Sequence, residues 1–393
     1  MDYEPISLIE PLMPAQGDRR LEDLAMELAA KSSALGSKLK PSVALAIRDL
    51  VRSMNCYYSN LIEGHNTHLR DIDRALVGDY SQNTQKRSLQ LEAKAHIEVQ
   101  RRIDLEGSSV NVVSADYIRG IHREFCSKLP EELLWVENPD TGDRREVIPG
   151  ELRNQGVSVG RHIPPNAESV PRFLDRFAEV YRCDRLSRVQ QVIAVAASHH
   201  RLLWIHPFLD GNGRVTRLLS HAYLKQIGIA NSLWSVSRGL ARQVGKYKSL
   251  LMAADQQRDH DFDGRGNLTA KGLQDFCEFF LEVCIDQVNF MESLIEPSEL
   301  LNRMALYVEE EVRAGRLKKG SFALLQEALL AGEFGRGKAA YLTGYQDRQA
   351  RTVLQSLLDA KLLISDSPKK PVRLGFPINV VERWFPKLYT NQE

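Results

Sequence analysis

Within the twelve residues His206-Pro-Phe-Leu-Asp210-Gly211-Asn212-Gly213-Arg214-Val-Thr-Arg217 the chain gathers an imidazole, a carboxylate, a glycine-rich turn and two guanidiniums. A loop of small residues feeding a helix N-terminus aims several backbone N–H groups into one space, where the helix dipole also favours negative charge. Gly211, Asn212 and Gly213 therefore read as a phosphate seat. Arg214 and Arg217 stand three apart, on one helical face, and can hold further phosphate oxygens bidentately. Asp210 is a hard oxygen ligand of the kind Mg²⁺ takes alongside phosphates. His206 can accept a proton near neutral pH. These groups suit phosphoryl or nucleotidyl transfer from a nucleoside triphosphate. The alternative, a buried helix pair with a glycine turn, gives the histidine, the aspartate and two arginines no reason to converge.

Apolar residues at helical spacing lie on both sides of the stretch: Val189, Val192, Ile193, Ala196 and Leu203 before it, Val215, Leu218, Leu219 and Ala222 after it. The pattern predicts helix, loop, helix. Pro207 and the run Gly211 to Gly213 stop the first helix, and the second begins near Arg214. Further upstream, Pro41-Ser42 opens a helix whose apolar face is Val43, Ile47, Leu50, Met54, Tyr57 and Leu61, and Glu63-Gly64 ends it. Helices are also expected over residues 21–35, 89–105, 114–128 and 273–295, with residues 1–20 as an arm. Between Val136 and Pro165 the pattern changes. Turns at Asn138 to Gly142 and at Pro149-Gly150 flank short β-prone runs such as Val157 to Val159.

The stretch from His206 to Arg217 resembles the signature of the Fic (Fic/Doc) family, H-x-F-x-D/E-G-N-G-R-x-x-R, at every defined position. In that family the histidine deprotonates a target hydroxyl, which attacks the α-phosphate of ATP; AMP is transferred and pyrophosphate leaves. The resemblance implies that His206 is the base and Asp210 the Mg²⁺ ligand. It places ATP on Gly211, Asn212, Gly213, Arg214 and Arg217, with Tyr247 resembling an aromatic that flanks the adenine. Ser59-Asn-Leu-Ile-Glu63-Gly64 looks like the family's inhibitory motif, S/T-x-x-x-E-G/N. There the glutamate pairs with the second arginine of the signature, so Ser59, Glu63 and Gly64 would form a self-inhibitory element. Physically, a carboxylate held against Arg217 occupies the place of a phosphate oxygen. By the same resemblance the segment from Val136 to Pro165 is a β-hairpin flap that holds the target as an added strand. One departure is Leu202-Leu203, where many relatives carry Phe-Glu; it lies outside the reacting groups.

The resemblance implies an all-α fold: a Fic helical domain with a small β-hairpin flap, followed by a C-terminal winged helix-turn-helix. The expected segments are 1–110 (helices carrying the inhibitory element), 111–296 (the catalytic domain) and 297–393. In the last, Ala339 to Leu342, the turn Thr343-Gly344-Tyr345 and the periodic Ala350, Val353, Leu354, Leu357 and Leu358 read as helix, turn, helix, with Leu362 to Phe376 as the wing. Seven Lys/Arg against three Asp between Lys338 and Arg373 make DNA a candidate partner of that segment.

Other patterns carry less. His122 reads as a packed or surface histidine, and His199, His200 and His221 lack the i, i+4 spacing of zinc ligands on a helix. Asp259-x-Asp261-x-Asp263-Gly264 starts like a calcium loop, but its twelfth position is Ala270, so a polar turn is expected. Gly332-x4-Gly337-Lys338 mimics a phosphate-binding loop but is followed by Ala339. Across 393 residues, 43% are hydrophobic and the net charge is +1, which allows real cores and gives no whole-chain argument for nucleic acid or membrane. Five scattered cysteines suit reduced thiols in a cytoplasm. The reading is therefore an adenylyltransferase using ATP and Mg²⁺ on a protein Tyr, Ser or Thr, with a second copy of the chain as a further candidate partner. Removal of AMP with Glu63 positioning water, and a nucleotide-sensing DNA-binding regulator, are the alternatives.

Overall fold

The computed structural model describes residues 3–107, 110–137, 142–229 and 232–389. It is mostly helical, and it divides into two compact units: Met1–Ser32 with Asn55–Gln287, and Ser33–Met54 with Val288–Glu393. Residues 55–107 fall in the same unit as residues 110–287, whereas residues 33–54 fall with the C-terminal segment.

In the first unit the chain runs through α1 (Arg19–Ser37), α2 (Pro41–Ile62), α3 (Leu69–Leu76), α4 (Thr84–Leu105), α5 (Ala115–Cys126), α6 (Val170–Tyr181), α7 (Arg188–Ile205), α8 (Asn212–Gln226), α9 (Val236–Arg242), α10 (Val244–Ala254) and α11 (Ala270–Ile295); α1, α2 and α11 each continue into the other unit. Helix α7 is the centre. Ser187 and Gln190 close a reciprocal capping box at its start, and from Gln191 to Ile205 every residue but Leu203 is buried. A helix apolar all round must be enclosed, and α6 and α8 pack against it. Helix α2 begins with proline at its first turn, where the missing N–H costs nothing. It ends at Gly64, whose φ of 84° is the left-handed turn that glycine takes without strain.

The hairpin is present but displaced from the β-prone run. Strands β1 (Trp135–Glu137) and β2 (Arg144–Glu146) pair antiparallel, with Trp135 opposite Glu146 and Glu137 opposite Arg144. Val157 to Val159 forms no strand; Val159 makes a single bridge to His162, because Gly160 turns the backbone at once. Of the turn read over Asn138 to Gly142, residues 138–141 lie outside the described residues. The segment at Asp259 to Gly264 is the polar turn expected, with Asp263 Oδ1 accepting from Lys271 N at 2.9 Å at the start of α11.

The second unit holds α12 (Pro297–Arg313), α13 (Ser321–Leu330), β3 (Glu333–Phe334), α14 (Ala339–Thr343), α15 (Asp347–Asp359), β4 (Leu363–Ile364), β5 (Val372–Leu374) and α16 (Ile378–Trp384). Its antiparallel sheet has the order β3-β5-β4. Leu324, Leu325, Ala328, Val353, Leu357, Leu363, Val372 and Trp384 fill its core. Gly344, at φ 69°, ends α14 where the turn was read. Strand β3 was not anticipated.

Candidate active site

Helix α7 stops at Ile205, and His206 turns the chain in the left-handed region, φ 49° and ψ 62°, a conformation uncommon for a non-glycine residue. The side chain of Asn212 then closes the loop on itself. Its Oδ1 accepts from Phe208 N at 3.0 Å and its Nδ2 donates to Phe208 O at 2.8 Å. Gly211, at φ 82°, caps α8, which starts at Asn212, two residues ahead of the expected Arg214. The first N–H groups of α8, from Asn212 onward, have no acceptor within the helix.

The two arginines are held differently. Arg214 donates to the fully buried carboxylate of Glu92 on α4 and to Asp210 Oδ2 at 3.0 Å. Burial opposes its charge, yet Asp210, Glu92 and Glu63 raise its pKa overall. Arg217 faces the end of α2: Nη2 donates to Glu63 Oε1 at 2.5 Å and to Ser59 O at 3.0 Å, and Nε to Ser59 Oγ at 2.9 Å. A methyl group placed on Gly213 would meet Glu63 Oε1 at 2.2 Å. The carboxylate thus lies against the N-terminus of α8. Burial pushes the Glu63 pKa up, but Arg217 and Arg214 more than offset this and hold it below its ordinary value.

Four residues that sequence reasoning did not single out, or read otherwise, complete the arrangement. Glu92 accepts from Arg214 through one oxygen and meets His65 Nδ1 at 2.7 Å with the other. This hydrogen bond raises the His65 pKa against the effect of burial. His122 is fully buried and stacked on Phe208, rings 3.9 Å apart and 3° from parallel. Its Nδ1 accepts from Gly150 N at 2.8 Å, so its proton sits on Nε2, 3.2 Å from Asp210 O. Burial lowers its pKa to about 4, so it is neutral and positions the loop. Arg153 donates from Nε to His206 O at 2.8 Å. None of these carries a local sequence signal, since each acts across a long stretch of chain.

Tyr247, which the resemblance sets beside the adenine, lies on α10. It is buried, with its hydroxyl 2.8 Å from His199 Nε2, while His199 Nδ1 lies 2.7 Å from Ser220 Oγ. A phenol with an apolar body and a satisfied hydroxyl packs as core. For a metal, Asp210 offers a half-exposed carboxylate with Oδ2 on Arg214 and Oδ1 free of any hydrogen bond to the described residues. Among the described residues no three His, Cys, Asp or Glu cluster as a metal cage. One carboxylate fits Mg²⁺, which takes its other ligands from phosphate and water. Among the described residues, the buried Arg214 Nε has no hydrogen-bond partner.

Compared with known families, residues 112–224 match the Fic/DOC family. The chain carries a Fic/DOC domain. It runs from just before α5 almost to the end of α8, and so includes His122, Arg153, His206 and both arginines, whereas Glu63, His65 and Glu92 lie outside it. Among relatives named Protein adenylyltransferase Fic, that of Drosophila erecta is 39% identical over 98 residues, covering 25% of this chain and 20% of that protein. That of Drosophila willistoni is 38% identical over 138 residues, covering 33% and 28%. The chain thus spans less than a third of the length of these relatives. A Fic family protein from Desulfovibrio desulfuricans G20 shares the fold over 93% of this chain and 98% of its own, with a TM-score of 0.53 at 17% identity. A Fic domain containing signaling protein from Bacteroides thetaiotaomicron VPI-5482 does so over 68% and 95%, with a TM-score of 0.50 at 20% identity.

Proposed function

We propose that this chain is a protein adenylyltransferase held inactive by its own Glu63. The observation that carries the reading is the Glu63 carboxylate, seated on Arg217 and against Gly213 where an anion is expected. A helix end that only needed a cap would not bring a carboxylate 154 residues along the chain to a buried arginine.

With Glu63 withdrawn, the phosphates of ATP would lie on the N-terminus of α8 and against Arg214 and Arg217. Asp210 would hold Mg²⁺, which neutralises phosphate charge when bound. Burial, and next the neighbouring Arg153, lower the His206 pKa to about 4, so the imidazole is neutral at pH 7. An entering polyphosphate strengthens it as a base, because an opposite charge nearby favours the protonated ring. His206 then takes the proton of a Tyr, Ser or Thr hydroxyl on a target protein. The hydroxyl oxygen bonds to the α-phosphorus, and the bond to pyrophosphate breaks. Hairpin β1–β2 beside the site offers backbone for the target segment to pair with.

The second unit is, in this reading, a winged helix-turn-helix, supported by α13, β3, α14, α15, β4 and β5 in that order. Exposed Arg348 and Arg351 on α15, with Lys369 and Lys370 between β4 and β5, make DNA its candidate partner. All five cysteines are free, which favours a reducing compartment such as the cytoplasm.

The test uses ATP labelled at either the α- or the γ-phosphate, with the Glu63→Gly chain and a cell lysate. The α label should enter protein and the γ label should not. Entry of the γ label would mean phosphate transfer, and entry of neither would remove the assignment.

A further inference from the structure

Arg153 brings a guanidinium into the core without a carboxylate paired to it among the described residues, and it is only 3% exposed. Its donors go to backbone carbonyls. Nε donates to His206 O at 2.8 Å, Nη1 to Gln155 O at 3.0 Å, and Nη2 to Pro165 O and, at 3.4 Å, to Ile205 O. Its own N–H donates to Pro207 O at 2.9 Å. A buried cation is costly unless its donors are satisfied, and burial pulls the Arg153 pKa down to about 10 although Glu4 and Glu168 oppose it. Such a group needs a reason to be where it is.

The carbonyls it has chosen supply that reason. Helix α7 ends at Ile205, so its last carbonyls have no intrahelical donor. His206 follows in a left-handed turn that a non-glycine residue adopts only when its surroundings enforce it. Three carbonyl contacts bracket this turn: Arg153 Nη2 on Ile205 O, Nε on His206 O and the Arg153 amide on Pro207 O. The same guanidinium reaches Pro165, at the far end of the segment that returns from the hairpin.

We propose that Arg153 positions the catalytic base, clamping the carbonyls of residues 205 to 207 so that His206 keeps the left-handed turn on which the direction of its imidazole depends. This rests on His206 acting as the base, as proposed above. Arg153 touches no substrate in this account; it acts through His206. Its charge adds a second effect. The protonated imidazole is disfavoured first by burial, then by Arg153 and His162, while the Leu203 carbonyl and Asp210 pull the other way. Loss of the Arg153 charge should therefore make His206 easier to protonate.

Two substitutions in the Glu63→Gly chain separate orientation from charge. Arg153→Lys keeps the charge but loses the planar fork that reaches several carbonyls at once. Arg153→Gln loses both. AMP transfer from α-labelled ATP is followed together with the titration of His206 by NMR and the thermal midpoint. Arg153→Lys should lower kcat by about 100-fold, the cost of a misplaced reacting group, with KM for ATP near the parent value and His206 titrating near about 4 as in the parent. Arg153→Gln should lower kcat as much or more and move the His206 midpoint toward the ordinary imidazole value of about 6.5. A purely structural arginine would lower the thermal midpoint in both variants and leave the rate and the titration of the folded protein alone, which overturns the inference. If Arg153→Gln does not fold, Arg153→Lys decides by its kcat. If the parent transfers no AMP, the functional reading fails by itself, and an unmoved His206 titration in Arg153→Gln overturns the role of Arg153 separately.

Discussion

Replacing Glu63 by glycine should release the site, and the structure sets the size of the release. The substitution removes the contact from Arg217 Nη2 to Glu63 Oε1 and takes a carboxylate off the N-terminus of α8. It leaves Arg217 bonded to Ser59 Oγ and Ser59 O. A hydrogen bond to a charged group contributes about 1.5–3 kcal/mol, and each 1.4 kcal/mol is about tenfold in population. With Arg217 buried but the Glu63 side chain 32% exposed, solvent weakens the pair, and the lower half of that range applies. Glu63→Gly should therefore raise the initial rate of AMP transfer by about 10- to 40-fold. Adding Ser59→Ala removes the bond that the charged Arg217 guanidinium donates to Ser59 Oγ, about 1.5 kcal/mol at the low end for a charged donor, and should raise it by a further factor of about 10. The assay is incorporation of label from α-labelled ATP under initial-rate conditions, with circular dichroism confirming the fold. An equal or lower rate in folded Glu63→Gly would refute self-inhibition. Removal of AMP would then become the better reading, and release of AMP from a modified target would test it.

Three further outcomes follow from the same geometry. In the Glu63→Gly chain, His206→Ala should lower transfer by about 10²- to 10⁴-fold while ATP affinity by calorimetry stays near that of the parent, because a base acts on the chemical step. Glu92→Gln leaves Arg214 buried without its full charge partner, so it should cost up to about 3–5 kcal/mol in urea unfolding. The His65 pKa is raised by Glu92, so the charged His65–Glu92 contact is complete below the ordinary value of about 6.5 and is lost as pH rises through the raised one. The rate of the native chain divided by that of Glu63→Gly should therefore climb as pH rises from about 6 to 8, and His65→Gln should flatten the climb.

The signature was legible because its groups lie within twelve residues and each side chain declares its own chemistry. The end of α2 was legible from period and glycine alone. Residues that act across the fold were not. Glu92 meets Arg214 over 122 residues, His122 meets Asp210 over 88, and Arg153 meets His206 over 53, and no periodicity encodes such pairs. Strand β2 escaped notice for a different reason. Arg144, Arg145 and Glu146 are all exposed, and a ribbon of two strands without a buried face has no hydrophobic alternation to show. An aromatic at helical spacing such as Tyr247 looks the same whether its ring faces a ligand or a core, and its burial and its contact with His199 were not legible.

On the proposed self-inhibition, the asymmetry between the two arginines accounts for its acting at one of them. Arg214 is fixed by Glu92, which is buried within α4 and can leave only if that helix unpacks. Its guanidinium is thereby oriented before any phosphate arrives. Arg217 is fixed by groups at the last turn of α2, next to Gly64, where the chain has few intrahelical bonds to lose. A nucleotide that competes with Glu63 for Arg217 therefore has to displace a helix end, not a helix. The His65–Glu92 contact ties that end back to α4, two residues beyond Glu63. If Glu63 withdraws as proposed, this contact would be pulled on with it, and the charge of His65 would set part of the cost.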